Sequence, residues 1–199
     1  METSRCVRAE VVEEPYAESL RDFDALVQVH RPRIFRFILA SLRNRESAEN
    51  LTQDCFVKAY QARDGFRGAA SVGTWLMQIA ANLVRDHEGS SRSRFWRRSL
   101  RSDVDVANIS DWVPDLQQSP EDLATAKEQV QAIWSVAGRL SERQRTVFLL
   151  RFVEDMELLE IAAVTGMKEG TVKAHLFRAI QAVRAALRCQ PTRKPEDKQ

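Results

Sequence analysis

Apolar residues recur three and four positions apart along most of the chain, and alternating runs are nearly absent. That period predicts an all-α protein. From Leu20 to Leu42 a stripe of Phe23, Leu26, Val27, Ile34, Ile38 and Leu42 marks a first helix, which Pro32 is expected to kink or split. Ser47 is a candidate cap for a second helix running to about Arg63. Ala48, Leu51, Thr52, Cys55, Phe56 and Ala59 share its inner face, and Gln53, Asp54, Lys58 and Gln61 lie toward the other. Residues 64–73 read as a loop, with Ser71 or Thr74 capping the next helix. There Leu76, Ile79, Ala80, Leu83 and Val84 form the buried stripe. Trp75, Gln78, Asn82 and Arg85 or Asp86 form a second, polar stripe headed by an indole.

The period then lapses. Residues 89–101, GSSRSRFWRRSLR, are basic, and Ser102 to Ser119 is acidic, with Pro114 before its end and Pro120 just beyond it. The acidic stretch predicts a linker. A helix from Pro120 or Glu121 to Ala137 carries Leu123, Val130, Ile133, Trp134 and Ala137. Ser141 to Gln144 has the pattern of a capping box, opening a helix with Val147, Phe148, Leu150 and Phe152. Short helices over 158–165 and 169–187 follow. The predicted organisation is two small helical domains, 17–99 and 120–189, joined by a flexible acidic linker at 100–119. An extension at 1–16 and a tail at 190–199 are expected to be disordered.

Composition adds little until it is resolved along the chain. The net charge of the 199 residues is +2, but from Arg85 to Arg101 six arginines face only Asp86 and Glu88. From Ser102 to Glu128 seven acids face only Lys127. Such segregation implies different partners for different segments. Cys6, Cys55 and Cys189 are too few and too scattered for a disulfide framework, and with His30, His87 and His175 they show no metal-ligand spacing. The N-terminus has no apolar core of a signal peptide, and no run reaches the roughly 18 apolar residues of a membrane span. These features predict a cytoplasmic protein with no metal and no cofactor.

Two segments point to nucleic acid. Phe66 to Arg101 combines aromatic side chains with arginines, the chemistry that stacks unpaired bases and holds a phosphate backbone. Residues 158–177, LLEIAAVTGMKEGTVKAHLF, place a small residue, a glycine and a β-branched anchor at Ala162, Gly166 and Val172. That spacing is the pattern of a helix–turn–helix, with Ile161 and Leu176 packing beside the anchor. Lys168, Thr171, Lys173, Ala174, His175 and Arg178 fall on the outer face of its second helix. Thr171, Lys173 and Arg178 have the reach for base edges.

Together these blocks resemble the sigma-70 superfamily of bacterial transcription factors, and within it the extracytoplasmic-function group. ENLTQDCFVKAYQA at 49–62, FRG at 66–68 followed by TWLMQIAANLVRD at 74–86, and residues 140–187 carry the resemblance, over about 20–95 and 120–188. It implies a transcription initiation factor that binds core RNA polymerase, directs it to promoter −10 and −35 elements, and helps melt DNA by capturing a flipped base of the non-template strand. Gln53, Asp54, Phe56 and Lys58 match the surface that docks on the clamp coiled coil of the largest polymerase subunit. Phe66, Arg67, Gln78, Asn82, Arg85, Arg92, Arg94 and Arg97 match or adjoin the −10 site, with Asn82 at a base-recognising position. Lys168, Gly170, Thr171, Lys173, Ala174, Phe177 and Arg178 match the −35 contacts, Gly170 through close backbone approach. Lys173 and Ala174 stand where relatives often have arginine and serine. In such a protein 17–99 is sigma region 2 and 120–189 is sigma region 4.

The resemblance further implies partners: the polymerase clamp and flap regions, promoter DNA in double- and single-stranded form, and an anti-sigma factor. It implies no small-molecule substrate and no catalytic residue. It places the protein in the cytoplasm at the nucleoid, or at the inner membrane when an anti-sigma factor holds it there. The neighbouring alternative is a helix–turn–helix regulator acting without core polymerase. That would call for a phosphoacceptor or ligand domain at 20–95, normally with a parallel sheet, which the helical period opposes. A nuclease would need clustered carboxylates or histidines, whereas the acids here lie dispersed on helix faces or gathered in the linker.

Overall fold

The computed structural model of the chain describes residues 22–68, 70–89, 130 and 133–188. Among them the regular structure is entirely helical, as the period predicts. The N-terminal extension, the linker, the C-terminal tail, and Arg92, Arg94 and Arg97 lie outside the described residues, as does most of 120–132.

Helix α1 spans Phe23–Leu42. Asp22 starts it by accepting the Ala25 N–H at 3.0 Å. Pro32 lies inside this helix and does not split it. Both Pro32 and Gln28, whose carbonyl loses its helical donor, are exposed, so the gap in the hydrogen-bond ladder lies on the solvent side of the helix. Arg43 closes the helix in the left-handed region at φ 55°. Helix α2, Arg45–Ala62, begins one residue after Asn44, which accepts the Ser47 N–H at 2.7 Å. The cap is therefore Asn44, and Ser47 is the residue capped. A two-residue connection makes α1 and α2 a tight helical hairpin. All six residues expected on the inner face of α2 are buried. Among them the Cys55 thiol donates to the Leu76 carbonyl at 3.6 Å, and burial pushes its pKa up to about 12, so it stays protonated.

A 3₁₀ turn at Arg63–Gly65 leads toward α3, Val72–Gly89. Ser71 is the residue that caps it, accepting the Thr74 N–H at 3.1 Å. The buried side of α3 differs from the expected stripe. Leu76, Ala80 and Val84 are buried as predicted, but so are Gly73, Met77, Ala81 and Glu88, while Ile79 and Leu83 are half-buried. The cause is tertiary: α3 packs on α1 and α2 from one side and on two later helices from the other.

Those later helices form the second group. Helical residues 133–137 precede α4, Glu142–Phe152, which opens with the expected capping box between Ser141 and Gln144. Val147, Phe148, Leu149 and Leu150 are buried. Phe152, expected beside them, is 57% exposed at the last residue of the helix, its ring 4.9 Å from that of Phe148. Helices α5, Leu158–Thr165, and α6, Glu169–Arg188, follow. The first group meets the second where α3 packs on α5 and α1 packs on α4. Glu154, just past α4, is bound by Arg33 at 2.7 Å and Arg36 at 3.2 Å from α1. At the far end of α3, Glu88 pairs with Arg145 of α4, both side chains largely buried.

Candidate nucleic-acid interface

The turn between α5 and α6 is built as the sequence pattern requires. Gly166 ends α5 at φ +68°, a conformation a side chain strains to adopt. Ile161 and Val172 are fully buried where the two helices meet, and Ala162 is half-buried against the same core. α5 is further fixed by a reciprocal cap in which the Glu157 N–H donates to Glu160 at 2.9 Å. Arg151 donates to the Met156 carbonyl at 3.0 Å and so pins the loop that enters it.

This frame turns one face of α6 to solvent. Lys168, Gly170, Thr171, Lys173, Ala174, Phe177 and Arg178 are all exposed. Nothing lies within 4 Å of where a Gly170 Cβ would stand, so the protein's own packing does not require glycine there. Open backbone at the first turn of a helix is what a phosphate approaches most closely. Lys173 pairs with Glu169 at 2.6 Å, but both side chains reach solvent and the pair is weak, leaving the ammonium available to a stronger anion. Phe177, 62% exposed, offers an apolar surface beside the cations. His175 is half-buried; burial and the nearby Arg178 and Arg143 hold its pKa below the ordinary value, so the ring is neutral at pH 7.

In the first group Gln78 and Arg85 are exposed and Asn82 is half-buried on the same stripe of α3. Arg67 is exposed on the loop before it. Phe66 folds back and packs on Trp75, ring centroids 4.9 Å apart with planes tilted by 43°. Loop and helix are thereby locked together, with both rings half-buried. On α2, Gln53, Asp54 and Lys58 are exposed. Phe56 is not: at 7% exposure it belongs to the core, so a direct contact role for its ring is corrected to a packing role.

Sequence reasoning passed over Val57 and Tyr60, which are 54% and 50% exposed beside those polar residues. Arg63 stacks on the Tyr60 ring at 3.7 Å and Phe23 meets its edge at 5.1 Å. Both residues fall off the inner stripe of α2, and that was the available signal. On the second group an apolar groove is lined by Ile133, Trp134, Phe148, Phe152, Ile180 and Val183.

Comparison with known proteins agrees with this geometry. The family described as "Sigma-70 region 2" matches residues 26–94, and "Sigma-70, region 4" matches 131–183. The RNA polymerase sigma-H factor of Pseudomonas aeruginosa is 31% identical over 183 residues, covering 89% of this chain and 92% of its own. The ECF RNA polymerase sigma factor SigW of Bacillus subtilis is 26% identical over 83% of this chain and 89% of its own. The corresponding factor BldN of Streptomyces coelicolor is 30% identical over 87% of this chain, which spans 63% of that relative's length. Among solved structures, CnrH in complex with the cytosolic domain of CnrY superposes with a TM-score of 0.60 at 21% identity, covering 88% and 96% of the two chains. The sigma factor RpoE of Bartonella quintana, crystallised with the anti-sigma factor NepR, gives 0.57 at 21% identity, covering 86% and 99%. These two show the same fold. The chain belongs to the sigma-70 family, in its extracytoplasmic-function group.

Proposed function

We propose that this chain is a promoter-specificity factor that binds core RNA polymerase, reads −35 DNA with α6 and −10 DNA with α3, and has no catalysis of its own. The observation that carries the reading is the solvent-facing row Lys168–Arg178 on a helix–turn–helix, in a chain that also matches both sigma regions in order. Residues 17–99 act as the polymerase-binding and −10 domain, 100–119 as the tether and 120–189 as the −35 domain. Gln53, Asp54 and Lys58, flanked by Val57 and Tyr60, form the polymerase-facing surface of α2. Asn82 reads the extruded base through its amide, which both donates and accepts, and Phe66, Arg67, Gln78 and Arg85 surround that step. Arg92, Arg94 and Arg97 track the adjoining phosphates.

Melting by this route needs no nucleotide hydrolysis: unpairing costs a few kcal/mol, offset by stacking and pocket contacts to the flipped base. The apolar groove on the second group suits contact with the polymerase flap, and an anti-sigma factor is the regulating partner. No described helix is long and apolar enough to cross a membrane, and the proposed site of action is the cytoplasm, at the nucleoid. Run-off transcription with core polymerase tests the reading. Initiation from a cognate promoter that depends on this chain is the expected result. Tight, specific DNA binding with no effect on core polymerase would instead favour a free-standing regulator.

A further inference from the structure

We infer that Glu154 is a latch: clasped by Arg33 and Arg36, it holds the two helical groups in a closed arrangement that opens before the chain engages two separated DNA elements at once. Glu154 sits in the turn after α4, its backbone fixed by donation to the Leu149 carbonyl at 3.2 Å. Its side chain is nonetheless fully buried. Both charged partners come from α1: Arg33 Nε donates at 2.7 Å and Arg36 Nε at 3.2 Å, and Arg33 also donates to the Glu154 carbonyl at 3.4 Å. A carboxylate buried this way is tolerated only while such donors are present.

The receiving corner is cationic in its own right. An Arg33 nitrogen and the His30 ring both lie within 3.4 Å of where a Gly73 Cβ would stand, in the first turn of α3. Helix N-termini carry partial positive charge, so the Arg33 guanidinium and the helix end concentrate the same sign there, while burial and Arg33 hold the neighbouring His30 ring below its ordinary pKa and leave it uncharged. Glu154 delivers the opposite sign from the other half of the molecule. A second cross-pair, Glu88 with Arg145, secures the far end of α3. Partial burial and then the neighbouring Glu88 charge hold the Glu142 carboxyl above its ordinary pKa despite Arg145, Arg85 and Arg143 nearby.

The need to separate rests on the proposed function. Elements named −10 and −35 lie about 25 base pairs apart, roughly 85 Å at 3.4 Å per base pair. Domains joined by a 2.7 Å ion pair cannot lie on both. The chain between Gly89 and Val130 can reach roughly 130 Å when extended, enough to span them.

The test is a distance measurement between spin labels or fluorophores at Asn50 and Gln181, two exposed positions outside the proposed sites, in the full chain with Cys6 and Cys189 changed to Ser. The wild-type background is expected to show mainly a short distance. Glu154→Gln should lower the ratio of short to long populations at least tenfold, and Glu154→Arg should abolish the short one. Adding Arg33→Glu and Arg36→Glu to Glu154→Arg should restore it. A long distance in the wild-type background, or a short one persisting in a folded Glu154→Arg chain, overturns the latch. Should Glu154→Arg lose helical circular dichroism, Arg33→Glu with Arg36→Glu alone decides. Those side chains are about one-third exposed, and an unchanged short distance there overturns the proposal equally. Core polymerase with a promoter duplex should convert the wild type to the long distance. If that arm alone fails, the promoter-factor reading fails and the latch stands.

Discussion

The Phe66 ring leans on the Trp75 ring at 4.9 Å, tying the loop after α2 to the first turns of α3. Both side chains are half-buried. Through this contact Trp75 packs against the loop, and Phe66 holds that loop beside the proposed −10 site. A double-mutant cycle with Phe66→Leu and Trp75→Leu, read by thermal or urea unfolding, should show a coupling of about 0.5–1.5 kcal/mol. Additive effects would mean that the rings are independent and Phe66 is free for DNA.

The helical character of α1 and α2, the capping box at Ser141 and the whole frame of α5 and α6 were legible because each is written locally. Ala162, Gly166 and Val172 meet their roles through spacing alone. The face of α3 was legible only in part. Met77, Ala81 and Glu88 are buried because α3 packs against helices on more than one side, Arg145 reaching Glu88 from 57 residues away, which a 3.6-residue period does not encode. The charged partners were invisible for the same reason: Arg33 and Glu154 are 121 residues apart. Asn44 displaced Ser47 as cap because α2 starts earlier than its apolar stripe.

Asn82 stands on the half-exposed stripe of α3 with Gln78 and Arg85. Its amide presents a donor and an acceptor at fixed spacing, so Asn82→Ala should weaken selection among −10 sequences by about 1–3 kcal/mol. Affinity for core polymerase should stay unchanged. Transcription from a panel of −10 variants, alongside a core-binding titration, checks both. A loss of core affinity with promoter choice intact would remove Asn82 from the base-reading role.

On α6, Arg178 and Lys173 are exposed and differ in chemistry. A planar guanidinium can bind a base edge in bidentate fashion; an ammonium acts as a point charge. Arg178→Ala should cost about 1–3 kcal/mol and relax specificity at one −35 position. If Lys173 meets only phosphate, Lys173→Ala should weaken all sequences alike and reduce the salt slope by about one. Binding isotherms on variant duplexes at several salt concentrations distinguish the two patterns.

Gly166 carries the turn at φ +68°, with nothing within 4 Å of a Cβ placed there. Substitution to Ala meets no clash, so its cost is backbone strain alone. Gly166→Ala should destabilise by roughly 1–2 kcal/mol, and Gly166→Asn by less, since Asn tolerates the left-handed region better. Equal loss in both, measured by chemical denaturation, would point to an altered turn.

His30 is held below its ordinary pKa of 6.5, first by burial and then by the Arg33 charge. In the unfolded chain that histidine takes up a proton as the pH falls through 6.5, while in the folded chain it resists. The unfolded state therefore binds more protons in that window, and folding stability falls as the pH drops from 6.5 toward the lower folded pKa. Below that value both states are protonated and the loss levels off. His175 is shifted in the same direction by burial, Arg178 and Arg143. Chemical denaturation between about pH 7.5 and about pH 5 should show the decline in the wild type. His30→Gln and His175→Gln should each flatten part of it. A decline left unchanged in the double variant would show that neither histidine causes it.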